Sequence, residues 1–260
     1  MVKKTNSKTV KSEPTLKRLY FDIETSPNIV ETWNVGYNLN IDYSNIRTER
    51  AIICICYKWE HENVVHYMTW DKGDDNKMVI DFCKVIMEAD EVVGHNGDKY
   101  DIKFFKTRAL YHGVKSLPKI KSIDTLKISK KEFRFNSNRL DYIGSFLGLG
   151  RKIKTEYNLW REVIAGNKKA LADMVKYCQQ DVVLLEKIYK KFEGYTQPKT
   201  HIGVLKGGTK CDCPKCGSSK TYSRGNSVTA SGTQNKKMQC QNCGSYFTIS
   251  SATFNKCRES

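Results

Sequence analysis

The chain has 260 residues, 39% of them apolar, and 44 Lys/Arg against 28 Asp/Glu give it a formal net charge of +16. That apolar share suffices for one medium domain with a small appendage, and no run approaches the ~20 apolar residues of a membrane helix, which leaves no membrane partner expected. Met1-Val2-Lys3-Lys4-Thr5 has no apolar signal core, so the expected location is the cytoplasm, or the host cytoplasm if the source is viral.

The charge is uneven. Residues 1–18 hold six Lys/Arg and one Glu, and residues 206–260 hold nine against two acids, while the middle is nearly balanced. Basic ends suggest an acidic polymer as partner, nucleic acid first, although solubility or a lysine-rich genome would give the same excess.

In chain order, residues 1–17 are polar, basic and without periodicity, which predicts a disordered tail. An apolar run over 18–25, stopped by Ser26-Pro27, predicts the first strand. Residues 28–50 are polar with scattered aromatics and read as a loop or insertion. Residues 51–59 read as a buried strand and 64–68 as its antiparallel neighbour, which puts His61 and His66 on the surface of a hairpin. Val79, Phe82, Cys83 and Ile86 have helical spacing and predict a helix over 77–89. Glu91-Val92-Val93-Gly94 reads as a short buried strand ending in Gly94-His95-Asn96-Gly97. Residues 99–112 return to helix, with Gly113 as C-cap. A short strand or turn is expected over 120–127 and a short helix over 140–149. The clearest helix covers 168–192, with a stripe of Leu171, Met174, Val175, Cys178, Val182, Leu185 and Ile188. Residues 194–208, with Pro198 and four glycines, read as a linker.

The expected organisation is therefore a tail (1–17), an α/β domain (18–193), a linker (194–208) and a cysteine-rich domain (209–260). Strands first, then alternating helices and strands, predict a mixed sheet flanked by helices.

Three stretches carry chemistry. In Phe21-Asp22-Ile23-Glu24-Thr25, residues i and i+2 of a strand share a face, so Asp22 and Glu24 project side by side. Adjacent carboxylates raise each other's pKa unless a positive charge, such as a hard divalent cation, lies between them. Alone, the pair also fits a solvated strand end. Asn96 follows a strand and Asp101 opens a helix, where an acid also complements the helix dipole. Tyr177 and Asp181 are four apart on one helical face, and Asp181 borders the apolar stripe, where an unpaired acid is costly.

Together, Phe21 to Thr25, Asn96 to Asp101 and Tyr177-x-x-x-Asp181 resemble the three exonuclease motifs of the DEDD superfamily. The tyrosine points to the DEDDy branch, which holds the proofreading domains of family A and B DNA polymerases. Over 18–192 the chain looks most like stand-alone, ribonuclease-H-like exonucleases of phages and bacteria. The resemblance implies a 3′→5′ exonuclease using two Mg²⁺ ions, or Mn²⁺, about 3.5–4 Å apart. It implies that Asp22 bridges the ions, that Glu24 and Asp181 complete the site that activates water, and that Asp101 holds the second ion. Tyr177 would orient the attacking water, and Asn96 would bind the terminal nucleotide or else cap the helix carrying Asp101. Lys99, with Lys103 and Lys106, would meet the phosphate backbone or form a solvated helix face. Asp124 is expected to cap a turn. Phe133 and Phe135, around Arg134, would stack on bases or anchor their loop.

Cys213-Pro214-Lys215-Cys216 and Cys240-Gln241-Asn242-Cys243 are two knuckles whose four thiolates suit one structural Zn²⁺. The module resembles a zinc ribbon of the kind associated with transposases, with Cys211 as an alternative ligand to Cys213. Without a secretory signal, paired cysteines predict metal rather than disulfides. Cys54, Cys56, Cys83 and Cys178 lie in apolar runs and read as buried thiols.

The expected function is a metal-dependent 3′→5′ exonuclease, DNA favoured and RNA open, with the ribbon aiding substrate binding or contacting a replication or repair protein. The rivals are a ribonuclease-H-like binding protein without turnover, and a transposase-like endonuclease. The sequence leaves strand preference and oligomeric state undecided.

Overall fold

Residues 15–259 are described by the structure, a computed structural model. Contacts divide the chain into two compact units, Lys17–Thr196 and one that contains the chain from Gln197 onward. Most of the tail expected over 1–17 lies outside the described residues. Its last residue belongs instead to the fold: the Lys17 N–H donates to Asp90 Oδ2 (2.8 Å), and its carbonyl accepts from the N–H of Asp90 and Glu91.

The strands of the first unit are β1 (Arg18–Thr25), β2 (Ile29–Val30), β3 (Ile46–Thr48), β4 (Ile52–Trp59), β5 (His66–Thr69), β6 (Glu91–Gly94) and β7 (Ser122–Asp124). Its helices are α1 (Asn76–Met87), α2 (Asp101–Tyr111), α3 (Thr125–Glu132), α4 (Leu140–Phe146), α5 (Tyr157–Ile164) and α6 (Lys168–Phe192). Five strands form one mixed sheet in the order β5-β4-β1-β6-β7. β1 runs antiparallel to β4 and parallel to β6, and β6 runs parallel to β7.

The strand period sorts β1 into two faces. Phe21 points to α1 and α2: its ring is 5.6 Å from Phe82, which lies 5.1 Å from Phe105. Tyr20 and Asp22 point the other way, to α6. The Tyr20 ring is 6.0 Å from Tyr189, and Cys178 Sγ is 3.7 Å from Asp22 Oδ2. Both faces are covered, which is why β4 reads as a nearly unbroken apolar run and β1 is apolar over Leu19–Phe21 and at Ile23, between its site acids.

Helix α6 starts where Asn167 accepts the N–H groups of Lys169 and Ala170 (3.0 and 3.3 Å), a cap of the kind that contributes about 1 kcal/mol. Lys190 and Lys191 in its last turn complement the dipole. α4 approaches it closely at Gly144, where a Cβ would stand 2.7 Å from Leu184 Cδ1. Buried ions fasten the frame. Arg18 reaches Glu91 (3.0 Å), Glu60 (2.7 Å) and Glu193 (3.2 Å), and Lys58 reaches Glu186 (2.7 Å).

The structure departs from the sequence reading at several points. The expected strand or turn over 120–127 is β7 followed directly by α3, because Asp124 accepts the Leu126 N–H (2.9 Å) and caps the new helix. The short helix α4 ends at Phe146, ahead of a left-handed Gly148 (φ 67°). α5 was not expected at all. The insertion over 28–50 contains the small β2–β3 ribbon. Within the expected linker over 194–208, α7 (Ile202–Leu205) belongs to the second unit, its Ile202 N–H donating to Pro214 O (2.9 Å).

That second unit pairs β8 (Thr221–Val228), β9 (Gln234–Cys240) and β10 (Tyr246–Ser250) in an antiparallel sheet of order β10-β9-β8, followed by α8 (Ser251–Glu259). Cys211 and Cys257 form a disulfide, contrary to the expectation of metal alone, so Cys211 is not a spare ligand here. Among the described residues no helix is long and apolar enough to cross a membrane.

Candidate active site and metal centre

β1 delivers Asp22 and Glu24 to the α6 face, opposite Cys56 and Cys54 of β4. α6 answers with Asp181, 1% exposed, one turn beyond Tyr177. Carboxylate oxygens of Asp22, Glu24 and Asp181 lie within 4.8 Å of one another. Asp101, in the first turn of α2, flanks them: its Oδ1 accepts the N–H of Ile23, the residue between the pair, at 3.4 Å. Four carboxylates from three elements therefore meet at one end of β1.

Electrostatics penalise this gathering. Burial raises the pKa of Asp22 well above the usual carboxylate range, and Asp101, Glu24 and Asp181 add to the rise. Burial and the nearby Asp181 push Glu24 up to about 8. Asp101 rises to about 6 through burial, restrained by its backbone hydrogen bonds. Asp181 is also raised by burial, with Lys152 limiting the rise. The partners of the buried Asp181 carboxylate are Lys152 and Tyr177. Crowded, partly desolvated carboxylates of this kind suit hard divalent cations with oxygen ligands.

One cation of the chain already stands there. Lys152 Nζ lies 2.5 Å from Asp181 Oδ2 and donates to the Tyr177 hydroxyl at 3.1 Å. The ammonium also sits 5.1 Å from the Tyr177 ring centre. Asp141 Oδ1 of α4 fixes this loop by accepting the Lys152 N–H (2.8 Å). Burial and Asp181 raise the Tyr177 phenol to about 12, so it holds its proton at neutral pH. Sequence reasoning missed Lys152, which sits in an irregular basic run, Arg151-Lys152-Ile153-Lys154, with no period to single it out. It also missed Trp160 of α5, whose indole N–H donates to Thr25 O (3.2 Å) and whose ring meets Tyr177 edge-on at 6.3 Å.

The remaining candidates separate. Asn96 is left-handed (φ 66°), a conformation asparagine tolerates better than most residues. Its N–H donates to Asp124 Oδ1 (2.9 Å) and its carbonyl accepts from Lys99 and Tyr100 (3.1 and 3.0 Å), so its backbone shapes the turn into α2. Asp124 also accepts from Asp98 N–H (3.3 Å), holding the turn as well as capping α3. Where the turn closes, a Cβ on Gly94 would stand 3.3 Å from Gly97 Cα. Lys99 is exposed one turn ahead of α2. Phe133 and Phe135 are loop anchors rather than free stacking rings. Phe133 packs 4.9 Å from Phe192 and 5.0 Å from Tyr195, and Phe135 lies 5.5 Å from Phe146. Beside the acids, Thr25, Ser26, Pro27, Asn28, Arg50, Thr155, Tyr157 and Trp160 line an open cleft of about 670 Å³.

In the second unit, the Cys213, Cys216, Cys240 and Cys243 sulfurs lie within 4.8 Å of one another, with Cys213–Cys243 and Cys216–Cys240 both at 3.6 Å. A zinc tetrahedron with Zn–S of about 2.3 Å has S···S edges of about 3.8 Å, so the four thiols fit one Zn²⁺. Burial raises Cys213 to about 12, whereas hydrogen bonding with Ser245 outweighs burial at Cys243 and brings it down to about 7.

Comparison with protein families matches residues 19–193 to the RNase_H_2 family, of the RNase_H superfamily. No curated protein matches the chain.

Proposed function

The chain belongs to the RNase H superfamily, which makes it a nuclease-type, nucleic-acid-processing protein, and we propose that it is a two-metal 3′→5′ exonuclease. The observation that carries this reading is the convergence of Asp22, Glu24 and Asp181, with Asp101 on the Ile23 N–H, at one end of β1. When bound, two Mg²⁺ or Mn²⁺ ions supply the Lewis acidity that activates water and stabilises a leaving oxygen. Asp22 would serve both ions, Glu24 and Asp181 would hold the first, and Asp101 would hold the second.

The chain's own groups supply the rest. Tyr177, protonated at neutral pH, offers its hydroxyl as a hydrogen-bonding group that orients a water beside Asp181 rather than as a base. Lys152 holds that hydroxyl in place. The cleft ending at Thr25 admits the terminal nucleotide, walled by Trp160 and Tyr157. Asn96 and Lys99, at the start of α2, are proposed contacts for the strand, and the zinc-holding second unit is proposed to aid substrate binding. DNA is the favoured substrate.

The test is degradation of 3′-labelled against 5′-labelled single strands in Mg²⁺. Loss from the 3′ end, abolished by Asp22→Asn, is expected; an unchanged rate in that variant sinks the assigned site. A second reading has one observation in its favour. Because Lys152 already neutralises part of the acid cluster, the chain could bind a strand without turnover. Tight binding with no cleavage in either Mg²⁺ or Mn²⁺ would establish that alternative.

A further inference from the structure

Residues 33–43 carry apolar side chains at every second position: Trp33, Val35, Tyr37, Leu39, Ile41 and Tyr43. Asn34, Gly36, Asn38, Asn40 and Asp42 stand between them. This is the period of a half-buried strand. Yet no strand forms there, and every residue over 31–45 is exposed.

The loop is nevertheless tied at its neck. Ile29 pairs with Thr48 and Val30 with Ile46 in the β2–β3 ribbon, which forms a stalk. Above it, the Glu31 N–H donates to Asn45 O (3.0 Å), and Asn45 Nδ2 donates to Glu31 O (3.1 Å). Asp42 accepts the Ser44 N–H (2.9 Å). A surface loop with pinned ends is an Ω-type arrangement, often a functional one. The most exposed large side chains are mainly aromatic. Trp33 and Tyr37 are fully exposed, Val35 is 95% and Tyr43 83% exposed, while Leu39 and Ile41 are 41% and 38%. Bare aromatic rings forgo burial in the chain's own core and so mark an interaction surface.

The root of the loop identifies the partner. Pro27 and Asn28 lead into it and Arg50 leads out, all three lining the cleft beside the acid cluster, and the Arg50 N–H donates to Asn28 Oδ1 (3.0 Å). The loop therefore rises from the wall of the cleft. Between Ile29 and Ile46 there is no Lys or Arg and there are two acids, both at the neck: Glu31, which pairs with Arg47 (3.8 Å), and Asp42, which accepts the Ser44 N–H. The loop between them offers rings and uncharged amides, and Arg47 and Arg50 supply cations at the root. Rings that stack on any base, with cations beside them for the backbone, are the features of a single-strand binding surface.

We propose that the loop over 31–45 grips an unpaired nucleic-acid strand, with Trp33, Tyr37 and Tyr43 stacking on bases next to the end that enters the cleft. This rests on the nuclease reading for the identity of what occupies the cleft. The test uses the full chain with Ca²⁺ as the only added divalent ion and a fluorescein-labelled oligothymidylate, followed by anisotropy. Trp33→Ala, Tyr37→Ala and Tyr43→Ala should each weaken binding roughly tenfold, and Trp33→Phe should restore most of it. The dependence of affinity on salt should not change, since rings release no counterions. Unchanged affinity in all three alanine variants overturns the proposal. So does a loss accompanied by conversion of a dimer to a monomer in sedimentation, which would make a second copy of this chain the occupant. The two readings fail separately. Normal cleavage with ring-independent binding removes only the grip. Ring-dependent binding without cleavage in Mg²⁺ or Mn²⁺ removes only the nuclease.

Discussion

Lys152 Nζ stands 2.5 Å from Asp181 Oδ2, so the least exposed acid of the cluster already has a cation beside it. Two roles follow from this contact. As a counter-ion, Lys152 competes with a metal for Asp181; as a donor to Tyr177, it positions a hydroxyl at the reacting end. Lys152→Ala should therefore lower the melting temperature of the metal-free protein. The cost should be only about 1–2 kcal/mol, because Asp181 can take a proton instead of remaining a bare charge. The same variant should need no more Mg²⁺ for half-maximal activity than the parent, while kcat falls about tenfold or more through the loosened tyrosine. A raised Mg²⁺ requirement would show that Lys152 supports the metal site rather than competing with it.

The acid cluster makes stability depend on pH with a definite sign. Glu24 is raised to about 8 and Asp101 to about 6, and Asp22 and Asp181 move in the same direction. Ordinary carboxylates titrate near pH 4, so between about pH 4 and pH 8 these four groups hold more protons in the folded, metal-free chain than in the unfolded one, against the opposite pull of partly buried His95, which is lowered to about 4. The cluster's contribution to stability then falls as pH rises across that window. Mg²⁺ takes the place of those protons, so the melting-temperature gain on adding Mg²⁺ should grow from pH 5 to pH 8. Asp22→Asn should flatten the slope, stabilise the metal-free protein, and reduce cleavage more than about a hundredfold. Melting curves of both proteins, with and without Mg²⁺, test all three outcomes together; a Mg²⁺ gain that shrinks with rising pH would contradict the linkage.

The features with a period were legible in the sequence. Asp22 and Glu24 are two apart on a strand, and Tyr177 and Asp181 four apart on a helix, so geometry within one element placed each pair. Asp101 could be placed on the first turn of its helix but not against Ile23, since that contact spans elements. Lys152 was invisible because an irregular loop has no repeat, and its position is set by Asp141 on α4. α5 was missed although Leu159, Trp160, Val163 and Ile164 have helical spacing, because the segment is about two turns long and only Val163 of it is buried. The disulfide was missed because spacing reveals knuckles, whereas Cys211 and Cys257 lie 46 residues apart.

The four-cysteine centre predicts a metal content. The chain should bind about one Zn²⁺, and Cys216→Ser or Cys240→Ser should abolish binding, whereas Cys211→Ser should retain it because its sulfur is committed to Cys257. Thiolates are the ligands, and Cys243, at about 7, ionises most readily of the thiols with a shifted pKa. Zinc affinity should fall steeply as pH drops below 7, since protons then compete for every sulfur. Metal analysis after dialysis at pH 5.5 and pH 7.5 measures this. Zinc loss in the Cys211 variant equal to that in the Cys216 variant would place Cys211 in the centre after all.

A last prediction concerns the frame under the site. Asp75 is fully buried between β4 and α2, accepting from Arg108 Nε (2.8 Å) and Nη2 (2.7 Å) and from the Ile52 N–H (2.9 Å), with His112 at 2.6 Å. Burial opposes its charge, but these donors outweigh burial and hold the carboxyl below the usual range. Although an acidic pair and a histidine meet here, Asp75 already has its partners, and the group reads as a structural node rather than a metal site. Asp75→Ala removes a fully buried charge and leaves the largely covered Arg108 without its partner, a change that typically costs about 3–5 kcal/mol. At about 2–4 °C per kcal/mol for a domain of this size, melting should fall by roughly 10 °C. Because the folded pKa lies below the unfolded one, the node's contribution is present above the ordinary carboxylate pKa and is lost as pH falls below it. The difference in melting temperature between parent and variant should therefore narrow toward acid pH, while Mg²⁺-dependent cleavage at low temperature persists. Loss of cleavage in a variant that is still folded would move Asp75 from the frame into the site.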